Sequence, residues 1–438
     1  MHPVVQLHPA TAADTRLAYE EIKDIGITDL GRGEPYKWAY RILKEPSLTE
    51  ELARLSLPYT HRDVDSITFQ PCRSYEARTQ DRHDIQTWTN AGGSWTFTGI
   101  FDGHMNHETV DYTVRKLPES LRQSLEALCR TRPTFSPDAI SELLSMTMAS
   151  VDQTLMSDFR NLFPGGDRFL KHASPEQLKQ AINDVDDGGT FYTTIARMLG
   201  GTTALITLFH QNTDNLWVAN LGDCCAVLGR RDAKSWKATT INTLHNGSNA
   251  AELQRIRSEH HGESECILNG RVLGWLAPTR AIGDGWLKFP AIYTEKVFSK
   301  VEAPWMTAHS LEKYVPLIKT PPYVSGKPEV YHRKIRRDRR HGSNAGEAFL
   351  ITCSDGLLDL TADTFDRTVE RRVNRWVNIV GEELDKELLE RRQRTNLALK
   401  LLRDAIGGDD LHLASRTLTV EMEEKWIDDT TIIVQRFI

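Results

Sequence analysis

A chain of 438 residues, 39% hydrophobic and 26% charged, has the composition of a globular protein long enough to bury a large core. Its formal net charge of −6 argues against nucleic acid as a partner, because nucleic-acid proteins present basic surfaces. No apolar run approaches the roughly 18 residues of a membrane span, so no membrane partner is expected. The cysteines Cys72, Cys129, Cys224, Cys225, Cys266 and Cys353 are scattered without C-x-x-C spacing, which favours a reducing compartment over disulfides or thiolate-bound zinc.

In chain order, the first thirty residues carry Asp14, Glu20, Glu21, Asp24 and Asp29 against Arg16 and Lys23. That is unlike an Arg-rich transit peptide, and no secretory pattern is present, so cytoplasm is the default expectation. Residues 1–58 read as an N-terminal extension with helical pieces around Tyr36–Leu43 and Leu48–Leu55; residues 59–438 read as one domain with insertions near 130–190 and 286–345. Trp95–Phe101 alternates and is rich in β-formers, predicting a strand that delivers Asp102 at its end. Val110, Val114, Leu117, Leu121, Leu125 and Leu128 recur at three and four, the spacing of an amphipathic helix, with Pro118 inside it. Further helices are expected near Ile140–Leu155, Pro175–Ile182 and Ser248–Glu259. Thr202–Phe209 and Leu216–Ala219 read as strands joined by a turn at Asn212–Asn215. The stretch from Gly285 to about Glu329 is proline-rich and irregular, like an inserted flap. Ala348–Thr352 and Thr431–Phe437 are short apolar strands, and Thr364–Ile406 is the longest helical run, its stripe read as core.

Three carboxylate motifs border the apolar β-type runs: Phe101-Asp102-Gly103-His104, Cys353-Ser354-Asp355-Gly356 and Asp428-Asp429-Thr430-Thr431. Acids at strand ends can converge, and hard divalent cations take oxygen ligands at short distances. Two such ions can activate a water and clamp a phosphoryl group. Gly103 lets its backbone come close to an ion, and His104 can protonate a leaving oxygen. One Asp at a strand end is an ordinary turn or cap residue; three together point to a metal-dependent phosphate-ester hydrolase. The C-x5-R spacings at Cys72/Arg78, Cys224/Arg230 and Cys225/Arg231 read as accidental. The basic run Arg333–Arg340 reads as a solvated connection, and His260-His261 as a surface turn.

With Gly200-Gly201-Thr202-Thr203-Ala204, Asn220-Leu221-Gly222-Asp223 and Thr279-Arg280-Ala281-Ile282-Gly283-Asp284, these motifs resemble, in order, those of the metal-dependent type 2C (PPM-type) protein serine/threonine phosphatases. Arg271-Val272-Leu273-Gly274, the insertion after Asp284, Thr320-Pro321-Pro322-Tyr323 and Pro328-Glu329-Val330 resemble the pyruvate dehydrogenase phosphatase branch. The resemblance implies an α+β fold, a four-layer αββα sandwich with a helical N-terminal extension and insertions. It also implies two Mg²⁺ or Mn²⁺ ions. One would be held by Asp102 and the Gly103 carbonyl, the other by Asp102, Asp355 and Asp428, with Asp81 hydrogen-bonding metal-bound water. Asp223 and Asp359 match positions for a third ion, and His104 matches a general acid. A metal-bridged hydroxide would attack the phosphorus of phosphoserine or phosphothreonine in a protein substrate. Asp284 reads as scaffold.

The chain departs from the family pattern in three places. Gln80 stands where Glu is usual, Glu76 stands where a phosphate-binding Arg is usual, with Arg73 and Arg78 as candidate substitutes, and Met105-Asn106 replaces small residues. These departures leave open a second reading: a catalytically weak homologue that binds phosphoproteins or acts as a scaffold.

Overall fold

The computed structural model describes residues 23–74, 78–131, 135–232, 235–303, 311–336, 345–362, 368–390 and 393–437. Two antiparallel sheets lie face to face. One runs in the order Glu329–Lys334, Asn215–Leu221, Ala204–His210, Gly93–Phe101 and Arg82–Asn90. The other runs Ser235–Thr240, Cys225–Asp232, Ala345–Cys353, Thr430–Arg436, Val64–Phe69 and Tyr59–His61.

Because side chains alternate along a strand, each central strand feeds two cores. In Ala204–His210, Leu205 and Phe209 meet Val64, Leu228, Leu350 and Ile433 between the sheets, while Ala204, Ile206 and Leu208 face the helical layer. Helices Glu108–Thr131 and Pro137–Asn161 cover the first sheet, burying Leu117, Leu121, Leu125, Leu144, Met148 and Val151. The second of these starts where Ser136 accepts the Ala139 N–H and Pro137 takes the first helical position, where a missing N–H costs nothing. Helices Val369–Glu390 and Leu397–Ala405 cover the second sheet, joined in that core by Leu48 and Leu52 of helix Ser47–Ser56. The result is an αββα arrangement of the expected α+β class.

Several local expectations are corrected. Trp38–Arg41, read as helical, is a strand paired with Ile25–Thr28, so the N-terminal segment is not purely helical. Backbone pairing with a distant segment overrides local periodicity there. The run from 364 to 406 is two helices rather than one: Asn396 accepts the Leu399 N–H and begins a new helix. Residues 363–367 and 391–392 of that run lie outside the described residues. Asn249, not Ser248, caps helix Ala250–Glu259. His260 is buried and stacked on Tyr323 rather than in a surface turn. Residues 337–340 of the basic run, and Glu76, lie outside the described residues.

Candidate active site

Strand register gathers the acidic motifs. Arg82 pairs with Phe101 and Leu221 with Ala204, while Cys353 pairs with both Cys225 and Ile432. The segments leaving or entering these strands at Asp81, Asp102, Asp223, Asp355 and Asp428 therefore share one end of the sandwich. Carboxylate oxygens of Asp102, Asp223 and Asp355 all lie within 4.8 Å of one another, as do those of Asp355, Asp359 and Asp428. Asp355 belongs to both groups. Asp81 belongs to neither, but its charge acts on Asp102.

Local contacts hold these backbones in place. The Asp102 carbonyl accepts the Thr203 N–H at 2.9 Å and the Thr202 hydroxyl at 3.0 Å. A Cβ on Gly103 would sit 2.8 Å from the Gln80 carbonyl oxygen, and one on Gly356 2.1 Å from the Asp429 carbonyl oxygen, so the backbones of the acidic segments approach closely only because both residues are glycine. The Ser354 hydroxyl donates to Asp81 Oδ2 at 2.7 Å and accepts the Thr431 N–H at 2.9 Å. Asp429 accepts the Gln80 N–H at 2.7 Å, the Gln70 amide at 2.8 Å and Lys425 Nζ at 2.8 Å, tying the segment before Asp81 to the one after Asp428.

The electrostatics of the cluster are unfavourable by themselves. Burial, then the neighbouring charges of Asp355, Asp81 and Asp223, push the Asp102 carboxyl well above its ordinary range; burial, Asp223 and Asp428 do the same to Asp355. Asp81 is pushed to about 7 by burial and Asp429, Asp223 to about 6 by burial, and burial also raises Asp428. Asp81 Oδ1 and Asp223 Oδ1 are buried with no hydrogen-bond partner among the described residues. Oxygen-only donors, surplus negative charge and orphaned acceptors are what a hard divalent cation satisfies, so these residues fit one.

His104 is held by a residue that sequence reasoning had given only a scaffolding part. Its Nε2 lies 2.9 and 3.0 Å from the two carboxylate oxygens of fully buried Asp284. Burial disfavours the imidazolium, but the charge and hydrogen bond of Asp284 outweigh it and raise His104. Asp284 has φ 53° in the left-handed region, and its N–H donates to the Gly200 carbonyl at 2.8 Å. A Cβ on Gly201 would fall 2.2 Å from His104 Nε2, so a glycine is required beside the pair. The signal was the Gly283-Asp284 motif itself, whose partner lies 180 residues away.

Arg73 is exposed and paired with Glu51 at 3.3 Å, a carboxylate also held by Arg54 at 2.7 Å. Arg78 is exposed; burial, then the charges of Arg82 and Arg78, lower His107. Asn106 is accommodated, its Nδ2 donating to the Ala196 carbonyl at 2.8 Å in space left by Gly200, while Met105 stands at φ 71° in the left-handed region.

The family description "Protein phosphatase 2C" matches residues 66–397. A protein phosphatase 2C homolog of Schizosaccharomyces pombe is 26% identical, with 83% of this chain and 77% of that protein covered. The human mitochondrial [pyruvate dehydrogenase [acetyl-transferring]]-phosphatase 2 is 29% identical, with 82% and 75% covered. The solved structure of a serine-threonine phosphatase 2C from Toxoplasma gondii gives a TM-score of 0.45 at 15% identity, covering 87% of this chain and 97% of that one.

Proposed function

This chain belongs to the protein phosphatase 2C family and is a metal-dependent protein serine/threonine phosphatase, and from that premise we propose how its residues divide the work. Asp102, Asp355 and Asp428, with the Gly103 carbonyl, would hold two Mg²⁺ or Mn²⁺ ions; Asp223 and Asp359 would help to hold a third. When bound, such ions supply an activated water and neutralise charge on the phosphoryl group. Asp81, with Oδ1 unpartnered and Oδ2 fixed by Ser354, orients water at the rim of the cluster. His104, oriented by Asp284 through Nε2, is left with Nδ1 to pass a proton to the leaving seryl or threonyl oxygen. Arg78, exposed near the segment bearing Asp81, is the better of the two arginine candidates for substrate phosphate, since Arg73 is committed to Glu51.

The observation that carries this reading is the convergence of Asp102, Asp223, Asp355, Asp359 and Asp428. A binding-only descendant would keep that repulsion to no purpose, because uncompensated buried charge only destabilises a fold. Phosphate release from phosphothreonine and phosphoserine peptides should depend on Mn²⁺ or Mg²⁺, stop in EDTA and vanish in Asp102→Ala. Absence of turnover in well-folded protein at millimolar Mn²⁺ would restore the binding-only reading. The mitochondrial phosphatases among the relatives support a mitochondrial setting over the cytoplasmic expectation; organelle fractionation of the native protein tests it. No helix among the described residues is long and apolar enough to cross a membrane.

A further inference from the structure

A cavity of about 340 Å³ opens beside the acidic centre, sharing Asp359 and Asp428 with it. Helix Leu411–Thr419 brings a third charged group, Arg416, to the same space. Arg416 is half-buried, yet among the described residues its guanidinium takes part in no ion pair and no hydrogen bond. It acts at a distance on Asp29, in the loop between strands Ile25–Thr28 and Trp38–Arg41. The oxygens of that carboxylate already accept the N–H groups of Gly31 and Gly33 at 2.9 and 3.2 Å. The rest of the lining includes apolar Leu30, Leu413 and Trp426. Neutral polar groups there are satisfied within the protein: the Trp426 indole N–H donates to the Thr417 carbonyl at 3.2 Å, and the Thr417 hydroxyl to the Leu413 carbonyl at 3.1 Å. Arg416 lies beyond residues 66–397, outside the family-matched span.

We propose that Arg416 selects phosphoprotein substrates carrying an acidic side chain, Asp or Glu, within two positions of the phosphorylated residue; the inference rests on the phosphatase reading above. On that reading Asp359 and Asp428 are spent on cations, which leaves Arg416 as the uncommitted charge of the cavity. Its five N–H donors form a planar fork that fits a carboxylate with two parallel hydrogen bonds. A basic side chain would instead set two cations face to face. An extended peptide advances about 3.3 Å per residue, so side chains one or two positions from a phosphoresidue at the carboxylates come within reach of a cavity that begins there. The mixed lining suits the same occupant: methylenes pack along Leu413 and Trp426 while the carboxylate meets the guanidinium. The volume lies at the small end of ligand pockets, roughly 300–1,000 Å³, and takes one side chain.

The test is kcat/KM with Mn²⁺ for phosphothreonine peptides carrying Glu, Ala or Lys at each of the two positions on either side, beside p-nitrophenyl phosphate, which has no flanking residues. At one position Glu should exceed Ala by about tenfold, chiefly through KM, and Lys should fall below Ala. Arg416→Glu should invert that order, with Lys above Glu, while p-nitrophenyl phosphate turnover keeps its wild-type rate. If Arg416→Glu loses that turnover too, Arg416→Gln carries the comparison, its Glu-to-Ala ratio within about twofold of unity. Equal rates for Glu, Ala and Lys at every position in the wild type, or a preference unchanged in the Arg416 variants, overturns the proposal. So does an Arg416→Gln protein that loses peptide and p-nitrophenyl phosphate turnover alike, which would move Arg416 to the phosphoryl group or to the fold. Failure of the wild type to turn over p-nitrophenyl phosphate and every peptide overturns the phosphatase reading instead, and this selectivity with it.

Discussion

Asp284 engages His104 through Nε2, with both carboxylate oxygens within 3.0 Å. A proton supplied by His104 matters most when the leaving oxygen is a poor one. Asp284→Asn should therefore lower kcat on a phosphothreonine peptide by about 10²-fold, yet lower p-nitrophenyl phosphate turnover far less, since nitrophenolate departs without a proton. A variant that merely loosened the fold would reduce both alike; an equal loss on the two substrates would return Asp284 to a structural part. Glu329 offers a separate test away from the acidic centre. Burial pushes its carboxyl up, but hydrogen bonds from Tyr331 and Thr243, the His245 ring nitrogen 3.2 Å away and the charge of Arg280 hold it at about 2. Its folded pKa lies below the ordinary value of 4.5, so its stabilisation is complete above pH 4.5 and is lost as pH falls through about 2. The stability gap between wild type and Glu329→Gln, read by chemical denaturation, should be open at pH 7 and narrow steadily below pH 4.5.

The segment that carries Asp284 is anchored by a buried ion pair. Lys288 Nζ lies 2.8 and 2.9 Å from the Asp152 oxygens and donates to the Ala281 carbonyl at 2.8 Å, while Asp152 also accepts the Gly283 N–H at 2.9 Å. Helix Pro137–Asn161 thus clamps the short helix Gly285–Lys288 through side chains only 2% and 6% exposed. Lys288→Met leaves the Asp152 carboxylate buried without its counter-charge. It should cost about 3–5 kcal/mol in urea unfolding. Adding Asp152→Leu should recover much of that loss, because no lone charge then remains.

For the molecule as a whole, the site is a liability until cations occupy it. Like charges gathered at the end of both sheets oppose folding, and a cation that binds only the folded chain stabilises it by mass action. Thermal melting should therefore rise with Mn²⁺ and fall back with EDTA, by about 2.7 kcal/mol at a hundred times the dissociation constant. Asp102→Asn should reverse the order. In EDTA it should melt above the wild type, having shed one repelling charge, yet gain little from Mn²⁺. A variant less stable than wild type in EDTA, with the Mn²⁺ gain intact, would place the ions elsewhere.

Much of this was legible from residue order. Apolar strands bordered by Asp102 and Asp355 at their ends and by Asp428 at a start, and the three-and-four spacing from Val110 to Leu128, depend on local periodicity, so both strand ends and helix faces could be read directly. The strand at Trp38–Arg41, the break at Asn396 and the grip of Asp284 on His104 could not. Each depends on a partner or packing surface far along the chain, and no local pattern encodes which distant group will arrive. The same holds for Arg73, whose charge was plain in the sequence but whose pairing with Glu51 belongs to a neighbouring helix. Residue identity and spacing specify which side chains can do chemistry. Which of them meet, and which are spent on one another, is settled by strand register and helix packing, because contacts of a few ångströms arise only when segments hundreds of residues apart are brought together.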